Sequence, residues 1–222
     1  MDTSRKRRIL IVEDHPIVRR GLASLINLEH DLEVCGFVED ARSALESVDS
    51  LKPDLVLLDL FLKDSSGLDL LKSLAKRGSN LPILVVSMHD ETLYAERVLR
   101  AGAMGYVMKR EAEQTVVEAI RRVLSGKVYL SERIQERMLL NVTGRRAPDA
   151  PPRELLSDRE LQIFEMLGHG RGIRQIAEDL NISIKTVDAH RARIKDKLNL
   201  SNATEVLQHA VRWVQEEGEQ DS

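Results

Sequence analysis

Five side chains suited to phosphorus chemistry close short apolar runs in the first half of the chain. Glu13 and Asp14 end ILIVED, Asp59 ends DLVLLD, Ser87 ends PILVVS and Lys109 ends GYVMK. Carboxylates at the ends of buried strands are costly unless something binds there. Glu13, Asp14 and Asp59 together would form a hard oxygen site with surplus negative charge. Mg²⁺ suits such a site, because it takes a few carboxylates, keeps waters and shares a substrate's phosphoryl oxygens. One carboxylate beside that ion can attack phosphorus and form an acyl phosphate. Lys109 would add a mobile positive charge, and the Ser87 hydroxyl a donor to another phosphoryl oxygen. Any one of these residues alone reads as a cap, a turn residue or a solvated lysine, and Asp14 could simply cap a helix opening at Pro16. Such groups at four strand ends of one sheet are hard to obtain from capping. They point to a magnesium-assisted phosphoryl acceptor. His15 reads as a neutral surface histidine, since Mg²⁺ does not favour imidazole. Met88 and His89, just past Ser87, are assigned no chemistry.

The elements that must position these groups alternate regularly. Near-continuous apolar runs predict strands over 8–13, 33–38, 54–58, 82–87 and 104–108. Segments of helical period predict helices over 16–28, 40–51, 66–77, 91–101 and 112–125, with Pro16 at the first helical position and Gly126 as a stop. Five βα units of this kind imply a doubly wound, five-stranded parallel sheet of the flavodoxin-like type. In such sheets ligands bind beyond the C-terminal strand ends, where all five groups fall.

Residues 127–152 change character. Ser131 could cap a helix over 132–141, and VTGRRAPDAPPRE then reads as a partly extended, mobile linker. Beyond it only helices are expected, over 158–167, 173–180, 184–198 and 203–215. The domains are thus 6–126, a linker over 127–152, 153–217, and a polar tail over 218–222. Ile173, Ile176, Ala177 and Leu180 share one apolar face. Asn181 and Ile182 turn the chain, Ser183 caps the next helix near Thr186, and Val187, Ile194 and Leu198 line its inner side. That is a helix-turn-helix. Opposite the stripe lie Lys185, Asp188, Ala189, Ala192, Arg193 and Lys195. From Ser183 to Leu198 there are five basic and two acidic residues, a local positive excess on an element that could enter a major groove. Ala189 and Ala192 would let it sit deep. Asp188 could accept from a cytosine amino group, and Arg193, Lys195 and Lys197 would reach phosphates. His190 and Trp213 read as packing residues. The last helix carries the capping pattern Asn202-Glu205 and a stripe of Val206, Leu207, Ala210, Val211 and Val214 that could close the small core, dimerise, or both.

Bulk properties limit the alternatives. The 222 residues carry a net charge of −3, so nucleic-acid binding would have to come from arrangement. A single cysteine, Cys35, excludes an internal disulfide and reads as a buried inert thiol. The basic Arg5–Arg8 run is followed by an apolar stretch too short for a signal peptide, and no run reaches membrane-spanning length, so the expected compartment is the cytoplasm.

The N-terminal half resembles the receiver domain of two-component response regulators, through VEDHP, LLDL, SSGLDLL, VVSMHD and GAMGYVMK. The resemblance implies that Asp59 is the phosphoacceptor. It also implies that Glu13, Asp14, Asp59 and the Phe61 backbone carbonyl hold Mg²⁺. Ser87 and Lys109 would read the phosphoryl group, and Tyr106 would turn inward with Ser87. Receivers often carry Met-Pro where this chain has Leu62 and Lys63. Residues 153–217 resemble the LuxR-type helix-turn-helix, through LSDRE, Ile176-Ala177, TVDAH and Lys197-Leu198. Together the halves resemble the NarL/FixJ class of transcriptional regulators. That implies a sensor histidine kinase as phosphodonor, double-stranded DNA with two half-sites, and an active homodimer. DNA contacts would come from Lys185, Thr186, Asp188, Ala189, Arg191, Ala192, Arg193, Lys195 and Lys197. Phosphorylation would remodel the 88–110 face, pairing it with another protomer or releasing the DNA-binding half. Three other readings compete. A dehalogenase-like phosphatase needs a second Asp where Phe61 stands. A dinucleotide enzyme needs a Gly-rich loop after the first strand. A phosphorylation-independent DNA-binding protein would have no use for the acidic pocket.

Overall fold

The computed structural model describes residues 5–62, 65–77, 80–142 and 152–219. The chain divides into two compact units, Met1–Arg146 and Ala147–Ser222. Three sequence readings fall partly outside the described residues: Lys63 in the acceptor loop, the centre of the Pro-rich stretch at 143–151, and the end of the tail at 220–222.

In the first unit β1 (Arg7–Val12), β2 (Leu32–Val38) and β3 (Leu55–Leu58) are followed by a short hairpin of β4 (Phe61–Leu62) and β5 (Ser65–Ser66). Then come β6 (Ile83–Ser87) and β7 (Gly105–Met108). Five strands pair in parallel in the order β2-β1-β3-β6-β7, so the order reverses between β1 and β3. Alternate residues face opposite layers. Ile9, Ile11, Leu55, Leu57, Leu84 and Val86 pack with α1 (Pro16–Asn27) and α5 (Ala112–Leu124). Leu10, Val12, Val56, Leu58 and Val85 are buried on the other side, the layer of α2 (Ala41–Leu51), α3 (Gly67–Lys76) and α4 (Glu91–Arg100). Burial on both faces explains why these strands read as unbroken apolar runs.

The hairpin and the fate of the first linker residues were not legible in sequence. Residues 127–130 follow the outer edge of β7, and α6 (Glu132–Val142) packs against α4. This half of the expected linker is therefore docked on the first unit. Its Ser131 hydroxyl accepts from the Ile134 N–H, the expected cap. Cys35 is only half-buried, because β2 is an edge strand; burial still pushes its thiol up.

The second unit holds α7 (Pro152–Leu155), α8 (Asp158–Gly168), α9 (Ile173–Asp179), α10 (Ile184–Lys197) and α11 (Ala203–Glu219). Ser157 and Glu160 form a capping box at α8. The Thr186 N–H donates to Ser183 Oγ at 3.0 Å, and the Glu205 N–H to Asn202 Oδ1 at 3.0 Å, as their sequence patterns imply. Trp213 is buried against Phe164, with ring centroids 5.5 Å apart. α11 runs on into the expected tail, since Gln215, Glu216 and Glu217 are good helix formers that continue a turn already begun. Among the described residues no helix is long and apolar enough to cross a membrane.

Candidate functional site

The parallel register brings the acidic residues together. The Asp59 N–H donates to the Val12 carbonyl at 2.9 Å and the Glu13 N–H to the Val38 carbonyl at 3.0 Å, so β1 and β3 end level, beside the reversal of strand order. Glu13, Asp14 and Asp59 are 1%, 4% and 4% exposed, which makes them buried acids rather than surface caps. The N-cap of α1 is His15, without a side-chain bond, so capping does not account for Asp14. Lys109, directly after β7, places its ammonium 2.6 Å from Glu13 Oε2 and 2.7 Å from Asp59 Oδ2. One buried ammonium thus bridges two carboxylates, with a third beside them. Burial pushes the Asp59 carboxyl above the usual carboxylate range and the Glu13 charge adds to this, against the pull of Lys109. Burial alone would lower the Lys109 amine, but Asp59 and Glu13 outweigh it and hold it above its ordinary value.

Ligating atoms of Glu13, Asp14, His15 and Asp59 lie within 4.8 Å of one another. Three buried carboxylates so close, against a single ammonium, fit a small hard divalent ion, and Mg²⁺ is the ion whose chemistry matches. His15 is 61% exposed, with Nδ1 2.8 Å from Asp14 Oδ1 and 3.2 Å from Glu13 Oε1. It is a surface histidine, though one that touches the acid pair.

Two features around Asp59 escaped the sequence reading. Gly67 opens α3 directly against the Asp59 backbone: a β-carbon there would stand 2.3 Å from the Asp59 carbonyl oxygen. Its N–H donates to the Leu60 carbonyl at 2.9 Å, closing the hairpin loop under the aspartate. The SSGLDLL string contains this glycine, but only the fold reveals the close approach. The second feature is an aromatic cluster. The Phe61 ring lies 3.9 Å from that of His89 and 5.3 Å, edge-on, from that of Tyr94. The Phe61 N–H meanwhile donates to Asp59 Oδ1 at 3.3 Å. Ser87 is fully buried, and its Oγ accepts from the His89 N–H at 3.4 Å. Tyr106 is also buried, and its hydroxyl donates to the His89 carbonyl at 2.9 Å. The inward tyrosine therefore already holds the connection that follows Ser87.

In the second unit the outer face of α10 is polar, as its sequence pattern implies. Lys185, Asp188, Ala189, Ala192 and Arg193 are exposed, while Thr186, Arg191 and Lys195 are half-buried. Val187 and Ile194 are fully buried on the inner side. His190 is half-buried, and burial lowers its imidazole. Three of the basic residues are engaged within the unit. Arg191 Nη1 lies 3.1 Å from Asp188 Oδ1, Lys195 Nζ 3.0 Å from Asp196 Oδ1, and Lys197 Nζ 2.7 Å from Glu160 Oε2. Among the described residues Lys185 and Arg193 have no ion-pair partner. Arg159 fastens the unit by donating to the Leu180 carbonyl at 2.8 Å, tying α8 to the turn before α10.

Comparison with known proteins covers both units. The response regulator receiver domain family matches residues 9–121, and the family described as bacterial regulatory proteins, luxR family, matches 154–210. The oxygen regulatory protein NreC of Staphylococcus carnosus (strain TM300) is 33% identical over 92% of this chain and 97% of its own. Among solved structures, the response regulator ChrA of a heme-sensing two-component system is 28% identical, with a TM-score of 0.51 over 93% of this chain and 97% of that one. The two-component response regulator RcsB, solved in complex with DNA, is 25% identical, with a TM-score of 0.56 over 92% and 97%. The chain belongs to the response regulators: a receiver domain joined to a LuxR-type helix-turn-helix domain, a phosphorylation-regulated transcription factor and not a metabolic enzyme.

Proposed function

We propose that Asp59 takes a phosphoryl group from the phosphohistidine of a sensor kinase, and that this changes dimerisation and operator binding by the second unit. The observation that carries the reading is the Lys109 ammonium shared between Asp59 and Glu13 beside Asp14. Glu13, Asp14, Asp59 and the Phe61 carbonyl would hold Mg²⁺, which when bound would neutralise the crowded carboxylates and the incoming phosphoryl oxygens. A carboxylate oxygen of Asp59 then attacks phosphorus, and the bond from phosphorus to the histidine nitrogen breaks. Lys109, freed from Glu13, pairs with the new phosphoryl oxygens, and the Ser87 hydroxyl donates to another. The pull on Ser87 reaches Tyr106 through the His89 main chain, which bonds to both.

The partner implied for the second unit is double-stranded DNA. Lys185, Arg193 and Lys195 would position α10 on phosphates with Arg191 beside them, while Lys197, held by Glu160, would anchor the helix. Thr186, Asp188, Ala189 and Ala192 would face base edges. A homodimer would set two such helices about 34 Å apart, so the operator should hold two half-sites. The protein would act in the cytoplasm, with the DNA it reads. The test is intact mass with and without Mg²⁺ and acetyl phosphate, followed by mapping of the modified residue. Operator binding by wild type and Asp59→Asn is then compared. Phosphoryl mass on Asp59 and enhancement in wild type alone support the reading; equal enhancement in both refutes it.

A further inference from the structure

After α5 the chain does not leave the sheet at once. The Tyr129 N–H donates to the Met104 carbonyl at 2.9 Å, and the Tyr106 N–H donates to the Tyr129 carbonyl at 3.1 Å, extending the sheet by one parallel bridge beyond β7. Gly105 permits this approach: a β-carbon there would stand 2.7 Å from the Tyr129 carbonyl oxygen. Two residues later one hydroxyl does two things. Ser131 Oγ donates to Glu91 Oε1 at 2.6 Å and accepts from the Ile134 N–H at 3.3 Å. The same oxygen therefore fastens the segment to the first residue of α4 and caps α6. Glu91 is 6% exposed, and Leu130 and Ile134 are buried beneath the segment. Gln135 Nε2 closes the turn on the Leu130 carbonyl at 2.8 Å.

The anchoring points are the elements that phosphorylation would disturb. One is the backbone of Tyr106 itself. The other is the start of α4, two residues past His89, whose carbonyl the Tyr106 hydroxyl holds. We infer that residues 127–142 form a strap whose seating on β7 and α4 reports the state of Asp59, with the Ser131–Glu91 bond as its latch. This rests on the proposed phosphorylation of Asp59. When Ser87 and Tyr106 rearrange, the start of α4 shifts, the latch opens, and α6 loses its hold on α4 while its own cap on Ser131 remains. A passive linker would stay seated in both states.

Hydrogen exchange by mass spectrometry on the full chain, with Mg²⁺ present and with or without acetyl phosphate, tests this. Intact mass on the same samples reports phosphoryl uptake. Protection over 128–142 should fall about tenfold on phosphorylation, the scale of losing one hydrogen bond to a carboxylate. Glu91→Ala, which removes the latch but leaves the Ser131 cap, should show the low protection without phosphodonor while still gaining phosphoryl mass; Ser131→Ala should show it too, and Ser131→Thr, which keeps the hydroxyl, should stay protected. Unchanged protection in phosphorylated wild type overturns the strap and leaves the phosphoacceptor reading standing. Absence of phosphoryl mass overturns both. Ser131→Ala protected like wild type overturns the latch.

Discussion

Lys197, the last residue of α10, places its ammonium 2.7 Å from Oε2 of Glu160 in α8. That carboxylate is 3% exposed and also accepts from the Ser157 N–H at 2.8 Å, so one acid closes a capping box and anchors α10. LSDRE and Lys197-Leu198, two separate strings in the sequence, are the two halves of this contact. Removing the lysine leaves a buried carboxylate short of a charged partner. Lys197→Ala should destabilise the second unit by about 1–3 kcal/mol, read as an earlier thermal transition in the fluorescence of Trp213, the one tryptophan in the chain.

The same contact separates anchoring from DNA binding. Lys185→Ala or Arg193→Ala should weaken operator binding alike across sequences and reduce the slope of log K against log salt by about one. Lys197→Ala should leave that slope unchanged at temperatures where the unit is folded. A titration series at several salt concentrations distinguishes them.

Glu160 also gives the second unit an acid sensitivity. Burial would raise its carboxyl, but the bonds from Lys197 and Ser157 outweigh it and hold the group below its ordinary value. A carboxyl lowered on folding contributes stability that is fully present above its unfolded pKa, near ~4.3, and lost as pH falls through the folded value. The stability read from Trp213-monitored unfolding should therefore fall below about pH 4.3. Glu160→Gln, which keeps an acceptor but cannot ionise, should flatten that dependence.

A divalent ion at Glu13, Asp14 and Asp59 would compete with Lys109 for the same carboxylates. Lys109→Ala should tighten Mg²⁺ binding about tenfold or more, by removing a buried cation next to the ligands. It should also slow phosphoryl uptake from acetyl phosphate roughly 100-fold, as expected when one charged donor to the developing phosphoryl oxygens is lost. Calorimetry and time-resolved intact mass measure the two effects. Tighter metal binding with unchanged uptake would remove Lys109 from the transfer step.

Gly67→Ala tests the seat of the acceptor. Its β-carbon would meet the Asp59 carbonyl oxygen and the Leu60 Cα, at 2.3 and 2.6 Å, and both are backbone atoms that cannot swing aside. A cost of about 1–3 kcal/mol is expected for such overpacking, seen as an earlier thermal transition in circular dichroism, together with slower phosphoryl uptake.

The sequence by itself determined the order and kind of the five parallel strands and the longer helices, though not the β4–β5 hairpin or α7, and the strand ends that carry Glu13, Asp14, Asp59, Ser87 and Lys109. Apolar runs, helical period and capping pairs are local, and they act over a few residues. The same locality made the α10 core stripe of Val187 and Ile194 legible. It hid whatever depends on residues far apart in the chain. Only the tertiary structure decided that Lys109 bridges Glu13 and Asp59, that Gly67 lies under Asp59, and that Phe61, His89 and Tyr94 meet. It also decided that Lys197 turns to Glu160, and that Tyr129 pairs with the edge of β7 although no strand pattern marks it. A single parallel bridge and one hydroxyl bond leave no periodic trace in sequence, because their energy comes from a partner that the fold, not the neighbouring residues, brings within reach.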